Sequence, residues 1–157
     1  MDQKRVKSEV VTLQEYKDNL RLIDTAFDAE LRLKLDYSIE AVGNYIGRDL
    51  RCTDFFSGPY AEDLDLPLDT ALYVSQVSVN GVPAQDGSWV WDDGKLVLNG
   101  TFEATDEVTV ETRYRSDIKM AILLIASKLF DDPLDRAEAI TNRSHNLLKS
   151  YRKYAGR

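Results

Sequence analysis

At 157 residues, of which 43% are hydrophobic and 30% charged, the chain has room for one compact domain with its own core and is short of what two ordinary domains need. That composition excludes disordered, collagen-like and membrane-embedded classes. A single cysteine, Cys52, and a single histidine, His145, exclude an intrachain disulfide and a Cys/His zinc set.

The net charge of -7 is unevenly spread: residues 54 to 111 hold twelve Asp/Glu against Lys95 alone, a net of -11, while residues 137 to 157 hold five Lys/Arg against Glu138, a net of +4. A solvated acidic face and a helix end whose dipole favours cations explain both segments as well as binding roles do. The overall charge argues against a sequence-specific DNA reader, because duplex binding rests largely on cationic contacts to phosphate. The longest apolar run, Met120 to Ala126, falls far short of the roughly 20 residues that cross a bilayer, and the start MDQKRVKSEV has no apolar signal core. The protein is therefore expected to stay where it is made, in a reducing cytoplasm.

In chain order, Thr12 followed by Glu15 makes a capping box and predicts a first helix over about Leu13 to Leu20. Asp24 or Thr25 is placed to cap a second helix, along which Phe27, Leu31, Leu35, Ile39, Val42 and Ile46 recur at spacings of three and four. Gly47 ends it, since a residue without a side chain takes the left-handed conformation at no cost. From Leu64 the period changes to two, with Tyr73, Ser75, Val77 and Val79 alternating against Val74, Gln76 and Ser78 before an Asn80-Gly81 hairpin turn. Trp89 to Trp91, an Asp93-Gly94 turn, Lys95 to Leu98, and Glu107 to Tyr114 extend the pattern to about four antiparallel strands. Ile118 to Phe130 returns to helix, apolar on most sides, until Asp131-Asp132-Pro133 stops it. A last helix places Ile140, Leu147, Leu148, Tyr151 and Tyr154 on its apolar side.

The expected fold is α+β: a helical core of about four helices with an antiparallel β module, residues 64–114, inserted between helices 2 and 3, all within one domain spanning 1–157. A small sheet needs a cover for its face, so the first and last helices are expected to pack together with the strands as an excursion. The expected core is Phe27, Leu31, Leu35, Ile39 and Val42 from the second helix with Ile122, Ile125 and Leu129 from the third.

No Gly-x-Ser-x-Gly elbow accompanies His145, which reads as a surface or helix-end residue. Cys52 follows a helix beside Arg48 and Arg51, which would lower its pKa, but a small buried side chain is the simpler reading. Asp63 with Asp65, or Asp92 with Asp93, have the residue types of a glycosidase pair or a cation site, although Asp92-Asp93-Gly94 is more simply a turn. Gly43 to Gly47 is a helix end and no phosphate cradle. Trp89 and Trp91 share one face of a strand; they fit a sugar-stacking surface or, more simply, burial against a helix.

The strings VVTLQEYKDNLRL, EAVGNYIGRDL, IKMAILLIASKLFDDP and LLKSYRKY together resemble the phage head-tail connector family, the adaptor or head-completion proteins. Tyr45, Ile46, Gly47 and Arg48 match the family phrase of an aromatic, one residue, Gly and Arg. Ser150-Tyr151-Arg152 stands where the family has Pro-Tyr-Arg, and the β module occupies the place of a variable sheet insert. The resemblance implies a structural virion subunit of the phage neck that catalyses nothing and needs no cofactor or metal. It would assemble in the host cytoplasm as a homo-oligomeric ring, expected to be dodecameric. The implied partners are the portal protein above, a stopper or tail-terminator protein below, and double-stranded DNA passing through the lumen without sequence recognition, with no membrane. Given that frame, Arg143, Lys149, Arg152, Lys153 and Arg157 are the candidate portal-docking residues, on the strength of the charge asymmetry. The alternative is a β-containing module, binding carbohydrate or a host receptor, attached to a helical domain.

Overall fold

The computed structural model describes residues 1–92, 94–131 and 142–151. Among the described residues, four helices and antiparallel sheets make an α+β chain, and seven of the eight strands lie between the second and third helices. The chain divides into two compact units: Ser8–Arg51 with Arg115–Arg157, and Met1–Lys7 with Cys52–Tyr114.

The first unit is helical. Helix α1 is Leu13–Leu20, α2 is Asp28–Ile46, α3 is Ser116–Asp131, and α4, Asn142–Leu148, runs into a 3-10 turn, Lys149–Tyr151. The capping box forms as the sequence predicts: the Glu15 N–H donates to Thr12 Oγ1 at 3.1 Å, and the Thr12 N–H donates to Glu15 Oε1 at 3.2 Å. Helix α3 packs against α1, α2 and α4. Its Ile118, Ala121, Ile122, Ile125, Ala126 and Leu129 are buried, as are Leu31, Leu35, Ile39, Val42 and Ile46 of α2. Removing each such side chain from water contributes about 1.5–3 kcal/mol, and this burial holds the helices far more firmly than their intrinsic propensities do. Tyr16 is fully buried, and its hydroxyl donates to the Ala126 carbonyl at 2.5 Å, pinning α1 to α3. Burial, with Asp131 and Glu30 nearby, raises the Tyr16 pKa above its ordinary value. Lys17, also buried, pairs with Asp28 at 2.9 Å.

Phe27 does not join this core. It is the N-cap of α2, at φ -106°, and remains 47% exposed. The helix begins one residue after it, so the three-and-four spacing that would carry its side chain onto the buried stripe has not yet started. Neither Asp24 nor Thr25 is the cap; Asp24 Oδ1 instead accepts from the Ala26 N–H at 3.3 Å, a local turn ahead of the helix.

The second unit is β. Strands β1 (Asp2–Lys7), β2 (Cys52–Pro59), β4 (Leu72–Val79), β5 (Val82–Pro83) and β8 (Glu107–Tyr114) form one antiparallel sheet in the order β1-β2-β8-β4-β5. Strands β3 (Asp63–Asp65), β6 (Trp89–Asp92) and β7 (Lys95–Leu98) form a second, in the order β3-β7-β6. Asn80 and Gly81, at φ 51° and 81°, make the tight turn between β4 and β5.

A single apolar cluster draws on both sheets, with Phe56, Val74, Val77, Val108 and Val110 from the larger and Leu64, Leu96 and Leu98 from the smaller. The two sheets thus cover each other's apolar faces. Trp89 and Trp91 are half-buried against this cluster. Four strands were not among those expected: the short β3 and β5, β1, exposed at all six positions and so without alternation, and β2, whose adjacent Phe55-Phe56 and terminal Gly58-Pro59 obscure the period.

Candidate assembly surfaces

The phrase Tyr45-Ile46-Gly47-Arg48 builds the end of α2. Gly47 takes the left-handed conformation, φ 76°, and the N–H groups of Gly47 and Arg48 both donate to the Gly43 carbonyl at 2.9 Å. This tight reversal turns Arg48 inward, leaving it buried. It also brings the Arg48 carbonyl so close to α2 that a Cβ on Gly43 would lie 2.7 Å from its oxygen. Glycine at both positions is therefore a steric requirement of the turn. Beside it opens a cavity of about 210 Å³ lined by Ile39, Glu40, Gly43, Asn44, Arg48 and Leu50, among others.

Two residues before Gly47, the Tyr45 hydroxyl lies 2.9 Å from Nδ1 of His145, with the rings edge-on at 5.3 Å. His145, expected at a surface or helix end, is half-buried on α4 and ties that helix to the end of α2. A hundred residues separate the two in sequence, and no local pattern marks them as partners.

Of the candidate docking residues, Lys149 is described and exposed, in the 3-10 turn after α4. The side chain of Arg143 and the whole of Arg152, Lys153 and Arg157 lie outside the described residues, as do Ile140, Tyr154, Asp93 and the Asp132-Pro133 stop. On α4, Ser144 and Leu148 are buried. At the turn, the Tyr151 hydroxyl donates to Asp117 Oδ2 at 3.1 Å, fixing the Lys149 segment against the start of α3. Desolvation and the Asp117 carboxylate both raise the Tyr151 pKa, so the hydroxyl keeps its donated proton.

The acidic middle of the chain becomes surface on the β unit. Glu62, Asp63, Asp65, Asp86, Asp92, Glu103 and Glu107 are exposed, which is the solvated face that composition allowed. Asp63 and Asp65 flank buried Leu64 on one side of β3. Asp106 is engaged locally: it accepts from the Glu103 N–H and the Asn80 amide, both at 2.8 Å, and those bonds lower its pKa. Among the described residues no group of three or more His, Cys, Asp or Glu is gathered to hold a metal, and no helix is long and apolar enough to cross a membrane. Cys52 is half-buried in β2, with its carbonyl accepting from the Tyr114 hydroxyl.

Several large apolar side chains of the helical unit face solvent, among them Ile23 at 98% exposure, Leu33 at 72% and Met120 at 52%. Leu33 and Tyr37, four residues apart on α2, share an outward face. The helical unit thus carries several exposed apolar side chains, and the described carboxylates of the β unit make an acidic surface.

No family model matches the chain, and no curated protein matches it. Among solved structures it is similar to a chain of the "Neck of empty GTA particle computed with C6 symmetry", with 15% identity, 98% of this chain and 96% of that chain covered, and a TM-score of 0.47. It is also similar to a chain of the "Virion of native gene transfer agent (GTA) particle", with 16% identity, the same coverage and a TM-score of 0.47. A chain of the "Neck of native GTA particle computed with C12 symmetry" follows, with 15% identity, again 98% and 96% covered, and a TM-score of 0.44.

Proposed function

We propose that this chain is a structural head-tail connector subunit of a tailed phage or phage-like particle, acting in a ring beneath the portal and catalysing nothing. The observation that carries the reading is the resemblance of its helical strings to that family, sharpest at Tyr45-Ile46-Gly47-Arg48. The geometry of that phrase supports it: each glycine meets a steric need and the arginine turns inward, so the phrase specifies one tight turn where a generic helix end would accept many sequences.

On this reading the working parts are surfaces. The helical unit, with its outward apolar side chains, supplies contacts between subunits, and the basic C-terminal residues Arg143, Lys149, Arg152, Lys153 and Arg157 steer the subunit onto the portal. DNA slides past without being gripped, because a carboxylate-rich surface opposes phosphate contacts. The half-buried packing of Trp89 and Trp91 against the sheet cluster favours the connector reading over a sugar-binding module.

The test is native mass spectrometry of the purified chain, alone and with portal from the same particle. Rings or portal-bound subunits at micromolar concentration are the expected result. A persistent monomer with no portal association would overturn the reading.

A further inference from the structure

The larger sheet of the β unit is edged by β1 and β5 and the smaller by β3 and β6. Of these, β1 and β3 are unlike. An edge strand offers a row of backbone N–H and C=O groups to any chain that can pair with it, and proteins normally blunt such edges with short length, proline, bulges or a cover. Strand β3 is short and soon followed by Pro67. Strand β1 has no such device beyond its charges: it pairs with β2 in unbroken register from Asp2↔Ser57 to Lys7↔Cys52. All six of its residues are exposed, so neither face gains from burial, and β1 is held chiefly by its backbone ladder with β2.

The charges of the two edges are opposite. Strand β1 carries Lys4, Arg5 and Lys7 against Asp2, whereas β3 and its approach carry exposed Glu62, Asp63 and Asp65 with no cation. Their spacing matches as well. Asp63 and Asp65 lie on one face of β3 because Leu64 between them points into the core. Arg5 and Lys7, also two residues apart, share one face of β1. Arg5 reaches Asp54 only at 3.8 Å and keeps 57% of its side chain exposed, leaving it free to engage a second carboxylate.

We propose that β1 of one copy pairs along β3 of the next, so that the larger sheet of each subunit continues into the smaller sheet of its neighbour. The occupant of each edge is a second copy of this chain, and the two-residue spacing sets Arg5 and Lys7 opposite Asp63 and Asp65. Because the two edges differ, the contact is head-to-tail, and it closes into a ring where the rotation between copies permits. The pairing rests on the ring-forming reading above and supplies it with a specific contact.

The experiment uses the full chain. Arg5→Glu with Lys7→Glu reverses one edge, Asp63→Lys with Asp65→Lys reverses the other, and a fourth protein carries all four substitutions; circular dichroism verifies that each is folded. Self-association is followed by sedimentation at low and high salt. Each single-edge reversal should weaken association roughly ten-fold or more through like-charge juxtaposition, and the four-fold variant should recover it. In a Cys52→Ser background, needed because Cys52 sits opposite Lys7 across β1 and β2, Lys7→Cys combined with Asp63→Cys or with Asp65→Cys should oxidise to covalent ladders.

Rings that persist in both reversed variants, or no ladder from either cysteine pair, would overturn the edge pairing and leave the connector reading standing. A wild type that neither self-associates nor binds portal would overturn both. Loss of nucleic-acid binding by Arg5→Glu with Lys7→Glu, with self-association intact, would reassign β1 to phosphate contact and likewise overturn the pairing.

Discussion

Gly43→Ala pits two effects of known size against each other. In an ordinary helix interior, alanine is favoured over glycine by about 1 kcal/mol, so the exchange would stabilise. Here the added Cβ meets the Arg48 carbonyl oxygen at 2.7 Å where ordinary contact begins at 3.4 Å, so about 0.7 Å must come from moving backbone. That backbone is held by the two 2.9 Å bonds from Gly47 and Arg48 to the Gly43 carbonyl. Overpacking of this kind costs about 1–3 kcal/mol, and weakening either bond adds up to about 1 kcal/mol. The clash outweighs the propensity gain over most of that range, and the expected net loss is up to about 3 kcal/mol. For a chain of this size that lowers the melting temperature by up to about 10 °C.

Thermal and urea melts followed by helical circular dichroism measure it, with the exposed neighbour Asn44→Ala as the control that gains only propensity. Gly43→Ala at or above wild-type stability would refute the close approach. Gly47→Asn should lose less than Gly47→Val, because asparagine visits the left-handed region and a β-branched residue does not.

Leu35→Asp or Ile122→Asp should abolish the native helical circular dichroism, since both side chains are fully buried and an unpaired charge there has no partner; a cooperative, native-like melt would contradict the packing. For Glu15, burial raises the pKa, but the Lys119 ammonium and the Thr12 bonds outweigh it and leave the folded value below the ordinary 4.5. A lowered folded pKa contributes stability that is present above the ordinary value and lost as pH falls through the folded one. Glu15→Gln should therefore narrow the stability gap to wild type as pH falls below about 4.5, measured by melts across that range. Lys149→Glu with Arg152→Glu and Lys153→Glu should slow portal association at low salt and lose that effect at high salt, where screening shortens to a few ångströms. Unchanged low-salt kinetics would mean the charges serve only the helix end.

Local chemistry was legible in the sequence wherever the cause is local. The Thr12/Glu15 box, the stripe from Leu31 to Ile46, Gly47 as the stop, the Asn80-Gly81 turn and the alternation of β8 each depend on residues within a turn or two of one another, so one-dimensional spacing encodes them. Phe27 shows the limit of that encoding, because the periodicity extends one residue past the place where the chain becomes helical.

What only the tertiary structure decided depends on long-range pairing. Strand β1 has no alternation to read, and exists because β2 offers it a six-residue ladder from across the chain. Tyr45 and His145 meet only because α2 and α4 pack within one unit. The two sheets, which alternation alone could not assign to partners, cover each other because Leu64, Leu96 and Leu98 on one and Phe56, Val77 and Val110 on the other remove more apolar surface from water together than either sheet could alone.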